Sequence, residues 1–153
     1  MKKTLAIITL SIFTGCASNI PLPTNVSPTT KVFNLNYDET WSRLIETLAK
    51  RNSSIKSLEK NSGIVSIEGS GNSESKLRNY AVCNGQDSFF LINKIIYGKS
   101  SIFVKKIEDN KTSVQITSDF ILSGFDTLNK SITTGLCVST GVFEYQIYDS
   151  IKN

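Results

Sequence analysis

The sequence contains no histidine among its 153 residues. Histidine is the commonest general base and the commonest transition-metal ligand in proteins, so both kinds of site would lack their usual residue. The sequence also lacks the Gly-x-Ser-x-Gly elbow of hydrolases, a phosphate-binding loop and an Asp-rich calcium loop. We therefore predict a protein that is not an enzyme and that holds neither a metal nor a non-covalent cofactor.

No apolar run is long enough to cross a bilayer as a helix, which takes about 18 or more residues. The run at residues 5–13 has nine residues and follows Lys2 and Lys3. Cationic residues, then a short apolar run, then small residues are the layout of a bacterial secretory signal. We predict that residues 1–15 are a signal peptide and that the rest of the chain is exported.

The segment Phe13-Thr14-Gly15-Cys16 resembles the lipobox of bacterial lipoproteins. The resemblance implies that the chain is cut before Cys16, which then carries covalent lipid as its membrane anchor. Phe13 departs from the usual leucine of the family, and ordinary signal peptidase could instead cut after Ala17. In this family an Asp after the cysteine retains the protein in the inner membrane. Ala17 stands there, which implies the outer membrane with the domain facing the periplasm.

Arginine is scarce, with only Arg43, Arg51 and Arg78 in the chain. Without Lys2 and Lys3, 15 of the 17 basic residues are left, against 13 acidic residues. These basic residues are dispersed along the sequence. So small a surplus is not the electrostatic signature of a polyanion-binding protein, so nucleic acid is not expected as a partner.

Only three cysteines occur, Cys16, Cys83 and Cys137. If Cys16 carries lipid, the other two form an even pair in an oxidising compartment, which predicts a disulfide. Two buried free thiols are the alternative. A catalytic thiol is disfavoured because the chain has no histidine to activate it and no Cys-x-x-Cys pair.

All three prolines lie within residues 17–30, between small polar residues. Proline favours extended backbone and opposes helix, so this stretch has the composition of a tether. The predicted organisation is a lipidated cysteine with a flexible tether over residues 16–30. A single folded domain follows over residues 31–153.

The domain opens with a predicted strand at residues 31–35 and a helix that starts at Asn36 and stops near Asn52. Asn36 can cap the helix, and Glu39 can return the bond as in a capping box. Four apolar residues follow at helical spacing and predict one buried stripe, which is Trp41, Leu44, Ile45 and Leu48.

The remainder predicts mostly strands. Two short strands are predicted at residues 54–58 and 64–68. A polar exposed loop is predicted after them, at residues 69–76. A meander is expected next, with strands at 77–83, 88–96, 101–108 and 112–122 and turns at 97–100 and 109–111. Residues 88–96 are apolar on both faces, so a buried helix is the alternative there. An irregular connection at 123–136 leads to a final helix over 141–152, capped by Ser139 or Thr140.

This order predicts an α+β fold, an antiparallel sheet of five to seven strands with two helices packed on one face. Residues 32–68 combine an acidic helix cap, an amphipathic helix with Trp41, a turn ending in Asn-Ser-Gly and the strand Ile-Val-Ser-Ile-Glu. This pattern resembles the BamC-type envelope lipoproteins, which join a lipobox and a tether to β-α-β-β-β-α domains. The resemblance covers about a quarter of the chain, implies that fold, and carries no functional residue over.

Three carboxylates that could suggest catalysis have structural explanations. Asp38 and Glu39 suit the start of a helix, and Asp119 suits the wet face of a strand. Four aromatic residues either pack in the core or form a contact surface, namely Phe89, Phe90, Tyr97 and Phe103. The expected function is a non-enzymatic adaptor that binds another envelope component through a sheet edge or this surface. The alternative is a carrier of a small apolar ligand, held between helices and sheet.

Overall fold

Seven strands and two helices form an α+β fold in the computed structural model, which describes residues 29–72, 76–84 and 88–152. The predicted fold class is therefore confirmed, while the signal peptide, Cys16 and most of the tether lie outside the described residues. In chain order the elements are β1 (Thr29–Phe33), α1 (Tyr37–Lys50), β2 (Ser54–Glu59), β3 (Ile64–Asn72), a 3₁₀ helix (Lys76–Asn79), β4 (Ala81–Cys83), β5 (Leu91–Glu108), β6 (Lys111–Asp126), β7 (Ser131–Ser139) and α2 (Val142–Lys152).

The strands make one antiparallel sheet in the order β2-β3-β5-β6-β7-β4, and β1 also pairs with β6. The long hairpin of β5 and β6 is the spine of this sheet. Two strands share the far side of β6, since β1 pairs with residues 112–116 and β7 pairs with residues 120–126. One end of the spine therefore lies beside β1, and the other lies beside β7.

Helix α1 begins as the sequence predicts. The Asn36 side-chain oxygen accepts a hydrogen bond from the Glu39 N–H at 2.8 Å, which satisfies one of the donors that a helix start leaves unpaired. The Glu39 carboxylate pairs with Arg43 at 2.8 Å instead of returning to Asn36, so only half of the capping box forms. The stripe predicted to be buried is largely so, because Trp41, Leu44 and Leu48 are all buried.

Both helices pack on the same face of the sheet, here called the inner face. Their buried side chains meet those of the sheet in one cluster, the helix-covered core. Its members are Phe33, Trp41, Leu44, Leu48, Val65, Ile67, Ile102, Val104, Val114, Ile116, Phe143, Ile147, Tyr148 and Ile151. Of the two hydroxyls predicted to cap α2, only Thr140 accepts from a helical N–H, that of Val142, whereas Ser139 accepts from the N–H of Gly141, which precedes the helix.

A second cluster lies further along the inner face, beyond the helices, and is here called the distal core. Its members are Ala81, Cys83, Leu91, Ile96, Phe120 and Leu122. Leu77 and Tyr80, from the 3₁₀ helix and the turn after it, pack against this cluster. The two cores meet at a hydrogen bond between the hydroxyls of Ser100 and Ser118, 2.9 Å long.

The turn predicted at residues 97–100 is wrong, because β5 continues through it from Leu91 to Glu108. Gly98, which suggested a turn, is needed for a different reason. A Cβ on Gly98 would lie 2.7 Å from a ring atom of Phe120, its partner across the strands. Glycine is needed so that the ring can lie over the backbone. The same continuous strand rules out a buried helix at 88–96.

Three further predictions are corrected. The loop at 69–76 is wrong in its first half, since β3 pairs with β5 as far as Asn72. The strand at 77–83 is confirmed only for its last three residues, which form β4, because a 3₁₀ helix ends at Asn79 just before it. The irregular connection at 123–136 is instead the end of β6, a turn and most of β7. Backbone pairing with a distant strand decides the first and the third of these segments, and the periodicity of the sequence gives no information about such pairing.

Candidate contact surface

The face of the sheet opposite the helices, here called the outer face, carries an apolar area at its distal end. Residues directly opposite each other on antiparallel strands point to the same side, with Cβ atoms about 4.5–5.5 Å apart. One row of such neighbours is Tyr97, Ile121 and Leu136, and another is Ile92, Phe125 and Ile132. Ile95 lies on β5 between the rows. We call these seven residues the outer patch.

The outer patch is exposed along its whole length. Leu136 and Ile132 on β7 are each 76% exposed, and the other five members are also classed as exposed large apolar side chains. Exposed apolar residues are ordinary when scattered singly, whereas a contiguous patch is typical of an interaction site.

A polar band borders the outer patch on the side toward the middle of the sheet. Glu68, Lys99 and Asp119 are neighbours in one cross-strand row, so the cation lies between two carboxylates. Lys56 lies 3.5 Å from Glu68 and extends the band to β2. An apolar centre with a polar border is the usual arrangement of a protein-binding surface.

The distal end of the spine, here called the tip, consists of Phe89, Phe90 and Leu128. The carbonyl of Phe90 accepts bonds from both the N–H and the hydroxyl of Thr127, at 2.9 and 3.0 Å. These bonds fasten the segment before β5 to the turn after β6. The tip is therefore a fixed structure that presents apolar side chains, and Phe89 is 96% exposed.

The turn at the tip is organised by Asp126. Its carboxylate accepts hydrogen bonds from the Asn129 side chain at 2.7 Å and from the Leu128 and Asn129 N–H groups at 2.8 and 3.3 Å. The bond from the Asn129 side chain, followed by the two backbone bonds, holds the pKa of Asp126 below its usual range. The Asp126 carboxylate therefore stays ionised, with its oxygens occupied by donors within its own turn.

The four aromatic residues predicted as either core or contact surface are all exposed, so core packing is wrong for each of them. They do not form one surface. Phe89 and Phe90 belong to the tip and Tyr97 to the outer patch. Phe103 pairs with Ile64 on the outer face, six residues further along β5 and beyond the polar band.

Most of the outer patch was not predicted from the sequence, because β6 and β7 supply four of its seven residues. A signal was present at residues 120–122, Phe-Ile-Leu, because three successive apolar residues in a strand must place at least one on each face. Ile121 is the outward member. No comparable signal marks Ile132, which lies in the stretch predicted to be irregular.

The carboxylates considered for catalysis have ionic partners or neighbours. Asp38 pairs with Lys60 at 2.7 Å and Glu39 with Arg43 at 2.8 Å. Asp119 lies opposite Lys99.

Cys83 and Cys137 are neighbours on β4 and β7 and form a disulfide, as predicted.

Within the described part of the chain, no cluster of three or more Cys, Asp or Glu residues could hold a metal ion. Neither of the helices described is both long and apolar enough to cross a bilayer. The sequence matches no protein-family model and no curated protein. The surface geometry is therefore the basis for a functional proposal.

Proposed function

We propose that this protein is a bacterial envelope lipoprotein, anchored through Cys16 in the outer membrane, that acts as a non-enzymatic adaptor facing the periplasm. Its partner is another component of the envelope, bound through the outer patch. The observation that supports the proposal is the contiguous apolar area on the helix-free face of the sheet. Such an area is costly to leave in water, and burying it against a partner removes that cost.

The distribution of polar groups supports a protein partner for this surface. The band of Glu68, Lys99 and Asp119 has both signs of charge and can orient a partner along one border. Among the described residues, β4 pairs with β7 only at residues 137–139, so the edge of β7 beside Ile132 has no described strand partner and can bind an extended segment of a partner.

The alternative function, a carrier of a small apolar ligand, has less support. A carrier needs room between helices and sheet, and that space is filled by side chains with no exposed surface, including Leu44, Leu48 and Ile147. Native mass spectrometry of the gently purified protein distinguishes the two functions. Extra bound mass in the range of a lipid or small apolar ligand would favour the carrier.

Photocrosslinking in intact cells tests the adaptor function. A photoreactive amino acid at Ile121 should give a discrete crosslinked protein, because this side chain lies in the middle of the outer patch. The same amino acid at Thr117, four residues earlier on the same face of β6, is the matched control and should not. Equal yields at both positions would contradict a specific surface.

A pair of charge substitutions tests the same surface without a probe. Leu136→Asp places a carboxylate in the patch, whereas Thr133→Asp places one on the opposite face of the same strand. Both side chains are exposed, so both variants should fold. Only Leu136→Asp should abolish the crosslink at Ile121.

The anchor is tested separately, by metabolic labelling with palmitate. The wild-type chain should incorporate label and Cys16→Ser should not. If both incorporate label equally, Cys16 is not the lipid site. An unlabelled wild-type chain whose amino terminus is Ser18 would instead show the cleavage after Ala17.

A further inference from the structure

The tip lies apart from the outer face and needs its own explanation. Phe89, Phe90 and Leu128 are 96%, 53% and 65% exposed, and they lie where the spine ends. The hydrogen bonds from Thr127 to the Phe90 carbonyl keep them in place. Because the backbone at Phe90 is already hydrogen-bonded, the tip loses less backbone freedom when it enters a new environment.

The charges around the tip suit a lipid headgroup layer. The Lys94 ammonium donates to the carbonyl of Ser88, the residue before Phe89, at 2.9 Å. Lys130 is exposed and follows Leu128 by two residues. Asp126 stays ionised, and its carboxylate is occupied by hydrogen bonds within its own turn. Apolar side chains surrounded by lysines are typical of proteins that dip into an anionic interface.

The position of β1 indicates where the membrane lies. Thr29 pairs with Ile116, and β1 is antiparallel to β6. From Phe33 back to Thr29, β1 therefore runs along β6 in the direction of the tip. The tip lies about 33 Å from Thr29, taking roughly ten residues of β6 at about 3.3 Å each.

The chain between Cys16 and Thr29 is long enough to cover this distance. About thirteen residues with the composition of a tether reach at most about 40 Å at about 3.1 Å per residue. A lipid on Cys16 and the side chains of the tip can therefore enter the same membrane surface at the same time.

We infer that Phe89, Phe90 and Leu128 insert into the interface of the membrane that holds the Cys16 lipid. The tip is then a second attachment point, which fixes the orientation of a domain that the lipid alone would leave free to turn. The outer patch comes to lie just above the headgroups, so its partner is a protein at or in the same membrane. This inference rests on the proposed anchor at Cys16.

Tryptophan fluorescence in vesicles tests the inference. The full lipoprotein carrying Phe89→Trp is reconstituted into vesicles of phosphatidylethanolamine and phosphatidylglycerol with brominated acyl chains. Tryptophan at the tip should shift its emission to the blue and lose most of its intensity. Phe103→Trp is the matched control. It also replaces an exposed phenylalanine, but Phe103 lies within β5, beyond the polar band, whereas Phe89 lies just before β5. Trp41 is buried in the domain and is present in both variants, so its fluorescence contributes equally to the two signals being compared.

The outcomes separate the tip from the anchor. Equal quenching at positions 89 and 103 overturns the inference, and so does a discrete protein crosslink from position 89 with no quenching there. If palmitate labelling fails but position 89 is still quenched when the chain is mixed with vesicles, the anchor is wrong and the lipid-binding tip stands. A labelled chain without quenching at position 89 refutes the tip alone.

Discussion

Two glycines that face each other across β3 and β5 should respond oppositely to the same substitution. Gly69 and Gly98 are direct neighbours in the sheet, and neither has a backbone conformation that disfavours alanine. A Cβ at Gly98 would lie 2.7 and 2.9 Å from two ring atoms of Phe120, whereas a Cβ at Gly69 has no atom within 4 Å. Only Gly98 is thus required to be glycine.

The expected magnitudes follow from these distances. Gly98→Ala forces the buried Phe120 ring to move, and overpacking of this kind costs about 1–3 kcal/mol. Alanine also restricts the unfolded chain, which returns about 0.4–1 kcal/mol. We expect a net loss for Gly98→Ala of about 1–2 kcal/mol by these two terms. Gly69→Ala, with no clash, should be neutral or gain up to about 1 kcal/mol.

Urea unfolding with linear extrapolation measures both variants. A third variant identifies the cause, because Phe120→Leu removes the ring. In that background, Gly98→Ala should lose most of its cost, and the difference is the coupling energy between the two positions. The reasoning is refuted if Gly98→Ala costs the same with and without the ring. It is equally refuted if both glycine variants lose the same stability.

Three other predictions concern the disulfide, the core and the tip. Replacing Cys83 and Cys137 together by serine should lower the free energy of unfolding by about 4 kcal/mol for a separation of 54 residues, measured in urea against the oxidised wild type. Leu48→Ala should cost about 2–5 kcal/mol in the same assay because Leu48 is fully buried, whereas Leu128→Ala should change stability little. The lowered pKa of Asp126 means that its stabilisation is present above the ordinary pKa and is lost as pH falls through the folded value. Asp126→Asn should therefore flatten the dependence of unfolding midpoint on pH below about pH 4, and an unchanged slope would contradict the hydrogen-bonded turn.

The elements that local signals determine were predictable from the sequence. Helix α1 has its cap at Asn36 and its apolar stripe within 14 residues, so every feature that specifies it lies inside the segment itself. Helix α2 is similar, with capping hydroxyls just before it and buried side chains at helical spacing. The fold class follows from these helices and from the alternation in β6.

Three glycines led to wrong predictions of turns, because each is needed for a close contact with a residue that is distant in sequence. Gly98, Gly124 and Gly135 each suggested a turn or an irregular connection, yet all three lie within strands. A Cβ would lie 2.7 Å from Leu91 at Gly124 and 2.4 Å from the Asn84 carbonyl at Gly135. The partner atoms are between 22 and 51 residues away in sequence. The pattern of residues within a short segment therefore carries no information about these contacts. The candidate surface was incomplete for the same reason, since Ile132 and Leu136 fall in the misread stretch.

The separation of the inner face into two cores has a consequence for the response of the fold to reduction. The helix-covered core is built from both helices, β1, β3 and the end of the spine beside β1, and it contains no cysteine. The distal core includes Cys83, with Cys137 packed against it, so its closing cover of β4 and the 3₁₀ helix is fastened by oxidation. Reduction should therefore loosen the half of the sheet that carries the tip more than the helix-covered half, which holds together by apolar burial without a disulfide.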